Sequence, residues 1–194
     1  MTENNINGVI LVGGRSSRMK ESKAKISYHG KPQHEYLFDL LTPLCKKVFT
    51  SCKEHVDIPE KFNPVTDSFN FDSPLNGILC AFQNDITSAL LSVPVDMPLI
   101  DVDLIQFLIH QRDKSKVATC FWDSTGEFPE PLVTLWESNS YSPLMEYQKK
   151  GGISPREFLQ QQDVNIIQSP NPKYLININS PEELKDFLKS YMGN

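Results

Sequence analysis

Between Gly13 and Lys31 lie six basic residues, Arg15, Arg18, Lys20, Lys23, Lys25 and Lys31, against a single acid, Glu21. That segment carries +5 in a chain of net charge −5, which leaves the remainder at −10. It opens with Gly13 and Gly14, directly behind the apolar run Gly8 to Val12. Glycines let a turn bring its backbone N–H groups against phosphate oxygens with no Cβ in the way. Arg18 can grip two oxygens as a planar fork, and Lys23 can add a mobile point charge. A tight turn with solvated basic side chains is the competing explanation of the glycines; the charge imbalance favours a bound phosphate. The loop fits neither GxGxxG nor GxxxxGK followed by Ser or Thr.

A second candidate is Asp96, which closes the apolar run of "ALLSVPVD". A carboxylate buried there without a partner would be expensive. Beside a phosphate loop it is placed to hold Mg²⁺, which takes one or two carboxylates together with phosphate oxygens and water. Taken alone, Asp96 is equally suited to capping the turn at "MPLI". His29, His34, His55 and His110 show no metal-ligand spacing. Ser16 and Ser17 lack a histidine base and an acyl-transfer motif, so a hydrolytic triad is unsupported.

The segments that must position these groups alternate between strand and helix patterns. "NGVILV", "KKVFTSC" and "ALLSVPVD" read as buried strands, and "KVATCFW" and "PLVTLWE" as two later ones around the turn-rich "DSTGEFPE". Helical spacing runs through "EYLFDLLTPLC", "LNGILCAF" and "DVDLIQFLIHQR", the last with Asp101 as N-cap and Leu104, Ile105, Leu108 and Ile109 inward. Near the C-terminus, "NSPEELKDFLKSYM" predicts a helix with Ser180 as N-cap, Pro181 at its first position and Glu183 completing a capping box. Its Leu184, Phe187, Leu188 and Tyr191 share one face. Such alternation predicts an α/β fold with a mainly parallel sheet, mixed by the two later strands and covered on both faces. In such sheets ligands sit beyond the carboxyl ends of the strands, where the glycine loop and Asp96 both fall. The aromatic residues of "CFWDSTGEF" read either as a lid or as sheet core.

Composition narrows the function classes. The 194 residues, 39% hydrophobic and 22% charged, predict one globular domain over 1–194. No apolar run approaches the roughly 20 residues of a membrane span, and the first residues lack a secretory pattern, so a cytoplasmic protein without membrane partners is expected. The scattered Cys45, Cys52, Cys80 and Cys120 suggest reduced thiols, with no zinc site or disulfide framework. An acidic chain with one basic patch argues for a small anionic ligand and against nucleic acid.

The motifs together resemble one family. "LVGGRSSRMKESK", "HGKP", "TDSFNFDSPLNGI", "VPVDMPLI", "EPLVTLW" and "INSPEEL" occur in the order found in nucleotidyltransferases, from residue 8 to about 185. Within these, Gly13 and "SPLNG" are similar to the molybdenum cofactor guanylyltransferase family; the cytidylyltransferase branch usually has alanine where Gly13 stands. The resemblance implies a Rossmann-like three-layer α/β/α sandwich that joins GMP from GTP to molybdopterin and releases pyrophosphate, with Mg²⁺ as cofactor. It also implies apo-molybdoenzymes or their chaperones as possible partners.

Carried over by position, Leu11, Val12, Gly13 and Gly14 would line the base and phosphates, Lys23 would hold phosphate, and Asp67 would contact the nucleoside. Asp96 would bind both Mg²⁺ and GTP, making Lys23 and Asp96 the catalytic pair. Ser51 stands where the family often has asparagine, which weakens or removes a base contact. Arg18, Asn177 and Asn179 match positions that face the pterin. Two departures are Lys20, in place of a glycine, and Ser22, in place of an aspartate before the key lysine. Alternatives at this stage are a nucleotidyltransferase using CTP or a sugar phosphate, and a nucleotide-binding protein without transfer activity.

Overall fold

The strand order of the central sheet sets where a ligand can sit. In the computed structural model, which describes residues 5–12, 27–53 and 58–191, seven strands form one sheet in the order β3-β2-β1-β4-β6-β5-β7. They are β1 (Ile6–Leu11), β2 (Val48–Cys52), β3 (Pro64–Thr66), β4 (Ala89–Pro94), β5 (Ala118–Trp122), β6 (Pro129–Trp136) and β7 (Asn165–Ile167). All run parallel except β6, which is antiparallel to both β4 and β5. The expected mixed sheet is therefore present, and a single reversed strand makes it mixed.

Helices cover both faces. On one side α1 (Gln33–Leu41) and α3 (Val102–His110) pack Leu37, Leu41, Leu104 and Leu108 against Ile10, Val48, Leu91 and Leu135. On the other, α2 (Pro74–Phe82), α4 (Tyr141–Lys149) and α5 (Pro155–Gln160) pack Leu75, Leu79, Leu144 and Phe158 against Val9, Phe49, Leu90 and Trp136. Successive strand residues such as Leu90 and Leu91 serve opposite layers, as the period of two requires. Every residue of β1 and β4 is buried, which is why they read as continuous apolar runs. Trp136, fully buried, satisfies its indole by donating to Ser92 Oγ at 3.0 Å.

Cap chemistry fixes the helix starts. Asp101 accepts from the Leu104 N–H at 2.9 Å, and Ser73, ahead of Pro74, accepts from the Leu75 N–H at 3.2 Å. At α6 (Pro181–Tyr191), Ser180 Oγ accepts from the Glu183 N–H at 3.1 Å, while the Glu183 carboxylate returns to the N–H of Asn179, not to that of Ser180. One expectation needs correction: the first helix does not reach Cys45 but stops at Leu41, because Pro43 has no N–H to continue the ladder. Of the segment read as lid or core, Cys120 and Phe121 are fully buried in the sheet, whereas Phe128 is 38% exposed. No helix among the described residues is long and apolar enough to cross a membrane.

Candidate active site

From β1 the chain passes to β2 and β3 on one side, then returns to place β4 on the other. The carboxyl ends of β1 and β4 therefore border the point where the winding reverses, and a crevice opens there. Leu11 pairs with Pro94, and the Val95 N–H donates to the Leu11 carbonyl at 3.3 Å. The next residues are Val12 and Asp96, so the root of the glycine loop and the strand-end carboxylate emerge side by side. Val12 is tied in turn to β2, its N–H donating to the Ser51 carbonyl at 3.1 Å.

Asp96 also anchors a distant segment. Its carbonyl accepts from the Ile178 N–H at 2.7 Å, which brings the flanking Asn177 and Asn179 to the same crevice. The Asn177 Oδ1 is buried and has no hydrogen-bond partner among the described residues, a costly arrangement unless a ligand donates to it. Phe187 of α6 meets Tyr28 edge to face at 5.7 Å. Burial, reinforced by the negative charge of Asp96, pushes the Tyr28 hydroxyl up to about 12.

Glu130, which opens the motif "EPLVTLW" but received no role from it, also comes close to the crevice. A straight strand would separate Glu130 from Thr134 by roughly 13 Å, yet Thr134 Oγ1 donates to the Glu130 carbonyl at 2.7 Å. The ladder between β5 and β6 also shifts register here. This irregularity turns the Glu130 side chain inward, as bulges near active sites do. The residue is 3% exposed, and its carboxyl oxygen Oε1 accepts from the Leu132 N–H at 2.8 Å. Burial raises its pKa to about 7; Asp96 and Asp123 push the same way, while Arg156 opposes them. Arg156 pairs with Asp123 at 3.3 Å and lies 5.5 Å over the Phe128 ring, so a cation shares the neighbourhood of both acids.

Because Glu130 ionises near 4.5 in an unfolded chain and near 7 when folded, its protonated form favours folding. That stability is fully present below about pH 4.5 and is lost as pH rises through about 7. Glu130→Gln, which keeps the acceptor for Leu132, is expected to stabilise the metal-free protein at pH 8 relative to pH 5, by on the order of 3 kcal/mol. Thermal unfolding of both proteins in chelator at the two pH values checks this; an equal effect at both would refute it.

On the β2 side, Ser51 Oγ donates to Asp67 Oδ1 at 2.8 Å. Burial raises the Asp67 carboxyl, partly offset by the Ser51 bond and by Lys53. Gly77 makes this contact possible: a Cβ there would lie 2.0 Å from Ser51 Oγ and 3.2 Å from Leu11 Cδ2. The small residues at 51 and 77 thus fit each other and aim the serine at Asp67. Asp67 borders a cavity of about 320 Å³ shared with Lys53, Phe69, Asn70, Phe71, Asp72 and Asn76.

Comparison with known proteins shows the family. Residues 8–166 match the family model of the MobA-like NTP transferase domain. The chain belongs to this family. It is 29% identical over 184 residues to the molybdenum cofactor guanylyltransferase of Vibrio vulnificus, covering 92% of this chain and 93% of that protein. It is 32% identical over 179 residues to the molybdenum cofactor biosynthesis bifunctional protein of a Synechocystis strain, where it covers 91% of itself but only 52% of the relative. It thus spans about half the length of that protein. Among solved structures, molybdopterin-guanine dinucleotide biosynthesis protein A of Archaeoglobus fulgidus has the same fold, with a TM-score of 0.77 and 18% identity over 97% of this chain and all of that one.

As a MobA-like nucleotidyltransferase, the chain carries its carry-over residues in two groups. Leu11, Val12 and Ser51, all buried, stand on the β2 side with Asp67; Asp96 is joined to the segment of Asn177 and Asn179 past the end of β4. Gly13, Gly14, Arg18 and Lys23, with Lys20 and Ser22, lie outside the described residues. Lys31, the last of the basic cluster, donates to Asp39 of α1. Among the described residues no three His, Cys, Asp or Glu side chains gather around a metal position. The donor set at Asp96 is one strand-end carboxylate, with a second acid nearby. That fits Mg²⁺ held largely by phosphate and water, and does not fit an all-protein metal cage.

Proposed function

We propose that this enzyme transfers GMP from GTP to molybdopterin, forming the molybdopterin guanine dinucleotide. The observation that carries the reading is the 2.7 Å hydrogen bond from the Ile178 N–H to the Asp96 carbonyl. It joins the residue expected to hold the nucleotide to the two asparagines expected to face the pterin. Similarity over nearly the full length of a named guanylyltransferase supports the same reading.

A phosphate oxygen of molybdopterin attacks the α-phosphorus of GTP, and the bond to the β-phosphate oxygen breaks. Pyrophosphate leaves with that electron pair. A phosphate monoester, with a second pKa near 6, is already ionised at neutral pH, so the site needs no strong base. Asp96 would hold Mg²⁺, which when bound neutralises phosphate charge as a Lewis acid. Lys23 and the amides of Gly13 and Gly14 would grip the triphosphate. Asn177 and Asn179 would orient the pterin, the buried Oδ1 of Asn177 accepting one of its N–H groups. Alignment and charge neutralisation then supply the acceleration.

The test is incubation with GTP, Mg²⁺ and molybdopterin. The expected result is the dinucleotide together with one pyrophosphate per turnover. Tight GTP binding without pyrophosphate release, or product formed only from CTP, would overturn the proposal.

A further inference from the structure

The cavity beyond Asp67 holds chemistry that the motifs leave unassigned. Its volume of about 320 Å³ lies at the lower end of the range for small-molecule sites. Asn76 spends its amide on the wall: Nδ2 donates to the carbonyls of Phe69 and Phe71 at 2.7 and 3.0 Å, and Oδ1 accepts from the Phe69 N–H at 3.2 Å. This holds the two rings with centroids 5.9 Å apart and planes inclined by 38°, so one face can stack on a flat ligand. Lys53, directly behind β2, is set at the rim by an ion pair with Asp72 at 2.8 Å. Asp67 gives one oxygen to Ser51 and keeps acceptor capacity on its carboxylate. An aromatic wall, an acceptor-only carboxylate and a donor-only ammonium thus line the same cavity.

That combination complements one kind of ring edge. A 2-amino-4-oxopyrimidine presents a carbonyl acceptor beside two N–H donors. The carboxylate accepts the pair of N–H groups, and the ammonium donates to the carbonyl. Adenine offers an amino group where this ring has its carbonyl, and cytosine lacks the paired donors. Guanine and pterin carry this same edge.

We propose that Lys53 is a specificity-determining residue that, with Asp67, reads the 2-amino-4-oxopyrimidine edge in this cavity. The inference rests on the guanylyl-transfer reading, in which both rings enter the site, and it supplies the discrimination that Ser51 is too short to provide.

Equilibrium binding in the presence of Mg²⁺ tests it, using GTP, ITP, ATP and CTP, with 6-hydroxymethylpterin as a separate probe. The unaltered protein is compared with Lys53→Met, a change at a partly exposed side chain. The unaltered protein should bind ITP, which lacks the amino group, about tenfold more weakly than GTP. Lys53→Met should weaken GTP and ITP about tenfold to a hundredfold, as loss of a charged hydrogen bond does, and leave ATP unchanged. Loss confined to GTP and ITP makes guanine the occupant, and loss confined to the pterin probe makes pterin the occupant. Unchanged affinity for all probes overturns the proposal while leaving guanylyl transfer intact. Tighter binding of CTP than GTP by the unaltered protein overturns the guanylyl-transfer reading itself.

Discussion

Asp96→Ala is expected to lower turnover at least about a hundredfold, the usual cost of removing a group that balances developing charge. Asp96 sits two residues past the end of β4, a position fixed by the pairing of Pro94 with Leu11 of β1 and by the Ile178 bond to its carbonyl. Both anchors use backbone atoms, so truncating the side chain leaves them in place. Asp96→Asn is the stricter version, since it keeps the shape and removes only the negative charge. Pyrophosphate release at saturating GTP should fall similarly in both, and raising Mg²⁺ should not restore it, because the carboxylate proposed to hold the ion is gone. Near-normal turnover by either folded variant would remove the mechanism.

The sheet was legible in its centre and obscure at its edges for a physical reason. β1 and β4 are buried on both faces, so apolar side chains fill most positions and the run stands out despite Asn7 and Ser92. β3 and β7, three residues each, are only partly buried, and β3 begins with proline, which a central strand would not tolerate. α4 buries only Leu144, too little for a helical stripe to appear. α2 showed through the helical spacing of "LNGILCAF", and α3 through its spacing together with the Asp101 cap. That β6 is the reversed strand could not be read, since strand direction leaves no mark in an apolar pattern.

The site divides in the same way. Asp96 and Asp67 could be found because short motifs surround them. The link from Asp96 to Asn177 and Asn179 is a single backbone hydrogen bond across 82 positions of sequence, which no side-chain pattern encodes. Glu130 opens the motif "EPLVTLW", but its burial comes from an irregularity of β6 that the motif does not encode. Lys53 and Gly77 gain meaning only from Asp67 and Ser51 beside them.

The end of the sheet remote from the site should govern stability without governing chemistry. β6 runs against its neighbours, so its start lies near Asp96 and its far end, at Glu137, lies near the opposite edge. There Arg112, just beyond α3, holds Glu137 with two bonds of 2.6 Å, from Nε to Oε1 and from Nη2 to Oε2. The two side chains are 12% and 7% exposed, so neither can recover full hydration if the other is removed. Arg112→Ala would leave a buried carboxylate uncompensated, and about 3–5 kcal/mol of stability should be lost. For a chain of this length that is on the order of ten degrees in Tm. Replacing both partners, as Arg112→Met with Glu137→Leu, should recover much of the loss, because no charge is then stranded. Thermal unfolding of the single and double variants checks this, with turnover measured well below each Tm. Turnover should stay near normal; a single variant as stable as the parent, or a double variant no better than the single, would show that the pair does not clamp α3 to the sheet.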